Sequence, residues 1–564
     1  MKRALGATLL LAAVLLVLGL GSFPLLEPDE GRYADVAREF LSTGDWVVPR
    51  LDGVPFHDKP PLVPWLVALS FRVFGPCEWA ARAVPAVAGF AGVLLAAWLA
   101  GAIAGRQRAA LLAALALAGS PLWLGFSRLL VLDVPFATLL AGGFALLLQG
   151  AGVLRAPPRT AVSALGGTLI GLATLAKGPV ALVLAGLAAL ALSLAERDWS
   201  LAWRLLGPVP WVSAVAVAAP WFVAFGLRDP EGLRAFLVHE NLERFRDARE
   251  HQHAWYFYLV TAPWGVGPGA LLLVLAGGRG AVPGRAERGL ALLALSVFVF
   301  FQLASSKVET YLLPALPPLA ALAGVRLDRV LASGASFARL AAAGLAVCAT
   351  AILAPAGWLV FARVEAGSSD PHRVWLAGSA GTSAALALLA LPFALASVVA
   401  WWRRRATSAT ALALAAASVL LASALPALAT IARWKSAAPM ARAISAHRRP
   451  GERVLSFATY LRGLAFYLGE PVPLALTASE LDRGEIERER PDLLLADDKS
   501  LVTFLETTRP LLVVVPPEDA PRNDHRERAF LENAERAGAT IENGKLVLLE
   551  RAGGELLYEL EAGR

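Results

Sequence analysis

Of the 564 residues, 57% are hydrophobic and only 17% charged, with 52 basic against 45 acidic side chains. Apolar runs close to the roughly twenty residues that a helix needs to cross a bilayer recur along most of the chain, which excludes a soluble enzyme and predicts a polytopic α-helical membrane protein. The net charge of +7 is spread through short loops between those runs, so it reads as membrane topology and not as a nucleic-acid surface.

In chain order, the run at 4–21 follows "MKR" and predicts an uncleaved first span, because "GLGSF" is a poor signal-peptidase site. Further runs lie near 80–103, 109–126, 130–153, 160–176, 178–195, 206–226, 257–277, 289–304, 311–325, 337–361, 374–401 and 407–431, giving about thirteen spans. With the N-terminus cytoplasmic, the inner loops carry Arg106 and Arg108, Arg155 and Arg159, Arg197 and Arg204, Arg279, Arg285 and Arg288, Arg326 and Arg329, and Arg403 to Arg405, as the positive-inside rule requires. Two long loops, 22–79 and 227–256, then lie outside with the tail. That tail, 436–564, alternates short apolar runs such as "RVLSFATY" and "LLVVVPP" with polar helix-forming stretches, and predicts a soluble α/β domain following a membrane domain over 1–435. Cys77 and Cys348 fall in different segments and suggest neither a disulfide framework nor a thiolate metal site.

The first outer loop opens with "EPDEGRYADVAREF", in which Tyr33, Val36, Ala37, Phe40 and Leu41 mark the apolar face of a short helix suited to the membrane surface. Asp29 at its start serves either as a helix cap or as a chemical carboxylate, with Glu30 beside it. "FHDKPPLVPW" then fixes Lys59 between prolines and a second surface helix, where it binds either lipid headgroups or a substrate phosphate. Arg128 and Asp133 in "SRLLVLDVP", Lys177 in "LAKGPV", and Lys307 with Glu309 and Tyr311 in "ASSKVETYLLP" interrupt apolar sequence. Ordinary helix-end anchoring accounts for each alone, but all fall on the same predicted outer face. Carboxylates beside a cluster of cations suit transfer of a sugar from a phosphate leaving group, the acid taking a proton and the cations taking the growing charge. His239, His251 and His253 lie in the second loop, where solvated histidines and metal ligands are both open readings. No Walker sequence or GxSxG is present.

These stretches, together with "ENLERF", "HQHAWYFY" and "SSKVETYLLPALPPLAAL" in the same order, resemble the bacterial aminoarabinose transferase branch of the dolichyl-phosphate-mannose protein mannosyltransferase superfamily, membrane glycosyltransferases of the GT-C fold. The resemblance implies transfer of a sugar, with inversion, from a polyprenyl-phosphate donor to a lipid A-like or other envelope acceptor at the periplasmic face of the inner membrane. By position it implies Asp29, Glu30 and Asp133 as catalytic acids, and Lys59, Arg128, Lys177 and Lys307 as donor-phosphate ligands. Relatives of this branch bind zinc through a Glu and a His; here Asp58 and Asn241 stand at those places, so Asp58 and His251 are the ligands left for a metal, and no cofactor is required by the pattern. A protein O-mannosyltransferase acting on a polypeptide acceptor is the neighbouring alternative. A transporter or flippase of lipid-linked sugars is the non-enzymatic one, disfavoured because transporters place essential charges near the midplane.

Overall fold

The computed structural model describes residues 2–154, 157–246, 253–266, 283–333, 377–403, 425–457, 459–475, 493–495, 511–515, 545–552 and 555–561, with scattered positions between 405 and 423. The chain forms two units. The first comprises Met1–Leu20, His57–Leu66 and Arg82–Leu428, and the second Gly21–Phe56, Val67–Ala81 and Ala429–Arg564.

The first unit is helical. Among the described residues seven helices are long and apolar enough to cross a membrane: Glu78–Ala104, Asp133–Gly150, Thr160–Lys177, Trp199–Arg228, Arg285–Leu303, Glu309–Ala332 and Ala380–Ala400. Shorter apolar helices, Lys2–Val17, Gln107–Ala118 and Val180–Glu196, match three more of the expected spans. The run at 109–126 is two helices. Pro121 has no N–H to continue the first, and Ser120 caps the second, Pro121–Phe126, by accepting from the Trp123 N–H at 3.3 Å while its own hydroxyl donates to the Gly265 carbonyl at 2.7 Å. The span expected at 337–361 lies outside the described residues, as do parts of those at 257–277, 374–401 and 407–431.

Thr160–Lys177 is sandwiched between two neighbours, and its sequence shows why. Gly167 and Gly171 present bare backbone to Pro208–Arg228: a Cβ on Gly167 would lie 1.9 Å from the Pro210 carbonyl oxygen, and one on Gly171 would lie 2.5 Å from that of Ala214. Such small-residue faces let helices approach within a membrane, where burial of apolar surface supplies no drive because lipid is equally apolar. At the basic loops, Arg108 reaches Asp328, Arg288 reaches Glu196, and Arg329 donates to Glu287 at 2.7 Å.

The second unit combines the C-terminal sheet with Gly21–Phe56 and Val67–Ala81 of the loop that follows the first helix. Its six strands are β3 (Arg453–Phe457), β4 (Leu474–Ala475), β5 (Leu494–Leu495), β6 (Leu511–Val515), β7 (Lys545–Ala552) and β8 (Glu555–Glu561), after the short hairpin β1 (Arg50–Leu51) and β2 (Val54–Pro55). The spatial order is β5-β4-β3-β6-β8-β7, with β3 parallel to β4 and β6, and β8 antiparallel to β6 and β7. Helix Ala438–His447 covers it through Met440, Ala441 and Ile444, which join Val454, Leu512, Val514 and Leu557 in one core.

Helix Asp29–Thr43 has most of the expected apolar face, with Tyr33, Val36, Ala37 and Phe40 buried, while Leu41 at its edge is exposed. That face is covered by protein and not presented to lipid, because the same helix buries a polar set that lipid could not satisfy. Asp35 pairs with Arg38 at 2.8 Å and accepts the Asp52 N–H at 2.8 Å, while Asp52 accepts the Val472 N–H at 2.8 Å.

Candidate active site

The acids of the opening loop divide their roles. Glu27 is buried in the second unit and accepts the backbone N–H groups of Gly463 at 2.7 Å and Arg462 at 3.0 Å; loss of hydration pushes its carboxyl up to about 7 against the lowering pull of those donors. Glu30 is also buried and accepts the Leu26 N–H at 2.9 Å, so it satisfies a donor ahead of the helix. Asp29 is the first helical residue, after Pro28 at the cap position, and makes no capping hydrogen bond. Its side chain is 55% exposed, with Arg32 at 3.8 Å. Neither acid caps the helix, and Asp29 is left facing solvent beside Arg32.

In the first unit, two antiparallel helices bring Asp133 and Lys177 together. Asp133 begins Asp133–Gly150 and Lys177 ends Thr160–Lys177, so each charge sits at the helix end whose dipole favours it. Lys177 donates to Asp133 and lies 4.5 Å from the centroid of the Tyr311 ring. Gly178, at φ +100, ends that helix; a side chain there would be strained and would also meet Phe236, so the "KGP" sequence fixes where the ammonium is placed.

Lys59 donates to the Asp58 carbonyl and to Glu240, both at 2.8 Å. The preceding His57 pairs with Asp229 at 2.6 Å, and Asp229 caps helix Pro230–Ala235 by accepting the Gly232 N–H at 2.7 Å. Asp58, Lys59, Lys177, Glu240, Asn241 and Tyr311 share the wall of a cavity of about 390 Å³, the rest of which is largely apolar and includes Val180, Val183, Phe236, Leu242, Phe300 and Phe301. Two ammonium groups at the edge of an oily cavity suit a ligand with an anionic head and a hydrocarbon tail.

The other expected residues are engaged elsewhere. Arg128 is buried and donates to the carbonyls of Leu15 and Leu18 at the end of the first helix, where a guanidinium fork satisfies orphan acceptors. Lys307 is buried and donates to the Ala304 carbonyl at 2.7 Å. His251 lies outside the described residues. Asn241 donates its amide to the Phe236 carbonyl at 2.7 Å, and among the described residues no group of three His, Cys, Asp or Glu side chains could hold a metal ion. Sequence reasoning did not single out Glu240 or Asp229. The signal for Asp229 was the Asp-Pro pair of a helix start; Glu240, in the mixed polar stretch "HENLER", carried no signal that set it apart.

A family model for dolichyl-phosphate-mannose-protein mannosyltransferase matches residues 5–228. The undecaprenyl phosphate-alpha-4-amino-4-deoxy-L-arabinose arabinosyl transferase of Pseudomonas aeruginosa is 35% identical over 381 residues, 63% of this chain and 66% of that protein. The protein of the same name from Edwardsiella ictaluri is 32% identical over 305 residues, 53% of this chain and 54% of that protein. The matches thus span between about half and two thirds of these relatives' length. ArnT from Cupriavidus metallidurans, crystallised with undecaprenyl phosphate, superposes over 99% of this chain and 98% of its own with a TM-score of 0.83 at 25% identity. The chain belongs to the GT-C superfamily of membrane glycosyltransferases. GT-C membership accounts for the polytopic helical unit followed by an α/β tail, and it makes the chain a multi-pass membrane protein.

Proposed function

We propose that this protein transfers a sugar from a polyprenyl-phosphate donor to an envelope lipid of the lipid A type at the periplasmic face of the inner membrane. The observation that carries the reading is the cavity in which Lys59 and Lys177 stand beside apolar and aromatic walls. The head-proximal part of a prenyl chain fills the apolar part, and the phosphate meets the lysines. The names of the Pseudomonas and Edwardsiella relatives, and the undecaprenyl phosphate in the Cupriavidus crystal, support a donor of this class.

In the proposed reaction an acceptor hydroxyl attacks the anomeric carbon from the side opposite the phosphate. The carbon–oxygen bond to phosphate breaks, its electron pair stays on the phosphate oxygen, and the hydroxyl proton passes to a carboxylate. The developing charge is met by Lys59 and Lys177, which is the kind of stabilisation that lowers a transition state selectively. Asp133 holds Lys177 in place, and Asp29, the exposed acid of its loop, is proposed as the proton acceptor. Purified protein given an undecaprenyl-phosphate aminosugar and lipid A should yield modified lipid A and undecaprenyl phosphate. Sugar appearing on a polypeptide and not on lipid would replace this reading with a protein glycosyltransferase. Protease added to intact spheroplasts should digest the tail beyond residue 436; protection until lysis would put the active face on the other side.

A further inference from the structure

The two cavity lysines are held by different kinds of backbone. Lys177 ends a regular helix and is steadied by both Asp133 and the Tyr311 ring. The carboxylate partner of Lys59 comes instead from Phe236–Glu243, which is wound as a π-helix, a rare conformation that frequently occurs at functional sites. Glu240 lines the cavity beside Lys59, with its Oε2 2.8 Å from Nζ and its side chain still 24% exposed. One further donor of that ammonium is directed to the Asp58 carbonyl. An anion arriving at Lys59 therefore meets a carboxylate already there, and like charges at contact distance oppose each other strongly in a partly dry site.

We propose that Glu240 is an exchangeable counter-ion of Lys59 that sets how tightly the phosphate product is held; this inference rests on the function proposed above. The donor is a phosphodiester with one negative charge, and cleavage of its sugar bond leaves a monoester that carries close to two. Glu240 competes with the phosphate for Lys59, yields it as the second charge develops, and takes it back as the product departs. An interaction that strengthens during the reaction raises turnover, whereas one equally strong before and after would trap the product.

The test uses undecaprenyl phosphate as the probe, bound to the full-length protein in detergent micelles, with steady-state and single-turnover transfer measured in parallel. Glu240→Gln keeps an oxygen able to accept from Lys59 but removes the charge. It should bind undecaprenyl phosphate roughly tenfold tighter, the scale of one charged contact, and lower kcat by a similar factor without slowing a single turnover. Glu240→Ala should show the same tightening, and Glu240→Asp should restore the native affinity. In a Lys59→Gln background, Glu240→Gln should tighten binding clearly less than it does with Lys59 present, since only the direct repulsion between carboxylate and phosphate is left to relieve; an equal tightening in both backgrounds overturns the counter-ion role. Unchanged or weaker binding in Glu240→Gln, with the wild-type protein binding normally, overturns the counter-ion role alone. A wild-type protein that does not bind undecaprenyl phosphate overturns the proposed function and this inference with it.

Discussion

Removing either member of the Asp133–Lys177 pair should destabilise the protein unequally, because the two charges have different second partners. Both side chains are largely buried, 14% and 12% exposed. Lys177→Gln leaves the Asp133 carboxylate in a poorly hydrated place without its cation, a change that costs about 3 kcal/mol. Asp133→Asn leaves the Lys177 ammonium over the Tyr311 ring at 4.5 Å, and a cation–π contact of about 1 kcal/mol offsets part of the loss. The second variant should thus lose about 2 kcal/mol, and the double variant, with no unpaired charge, should lie within about 1 kcal/mol of the wild type. The measurement is thermal unfolding of detergent-purified protein followed by tryptophan fluorescence, closed as a double-mutant cycle. Equal losses in the single variants, or additive losses in the double one, would refute the reasoning. Sugar transfer should stay lost in the double variant, since restored stability does not restore the ammonium.

Three further outcomes are expected. Asp29→Asn should cut transfer on the order of a hundredfold or more at unchanged thermal stability, because the exposed carboxylate makes no capping bond; near-normal turnover would remove it from the chemistry. Gly167→Leu should sharply lower the yield of folded, monodisperse protein, since even a Cβ meets the Pro210 carbonyl, whereas Leu at Gly6, where nothing lies within 4 Å, should be neutral. Burial raises the Glu27 carboxyl from 4.5 to about 7, so its contribution to stability is complete below pH 4.5 and is lost as pH rises through 7, by up to about 3 kcal/mol. Amide exchange of Arg462 and Gly463, whose N–H groups it accepts, should therefore be faster relative to intrinsic rates at pH 8 than at pH 5.5, and Glu27→Gln should flatten the difference.

The membrane unit was legible because its determinants are local. Apolar runs set the spans, and "KGP" and "LDVP" set charges at helix ends that the antiparallel hairpin then brings together. What the sequence could not assign was the choice among partners. The acids Glu27, Asp29 and Glu30 look equivalent as letters, and only the burial of two of them against backbone donors separates the third. Arg128 offers the same guanidinium to a phosphate or to carbonyls, and the decision lies with the end of a helix more than a hundred positions earlier in the chain. The break at Ser120–Pro121 was written in the sequence, but uniform apolarity on both sides concealed it.

The bonds from Glu27 to the Gly463 and Arg462 amides join positions 436 and 435 apart in sequence. At ribosomal speeds of about 5–20 residues per second, synthesis of the intervening chain takes roughly 20–90 s. Throughout that interval the nascent loop carries Glu27 without its Arg462 and Gly463 donors and Asp52 without its Val472 donor, and these two acids prefer water to any half-formed core. A nonsense mutation anywhere between Glu27 and Arg462 would leave Glu27 without either of its closing backbone partners.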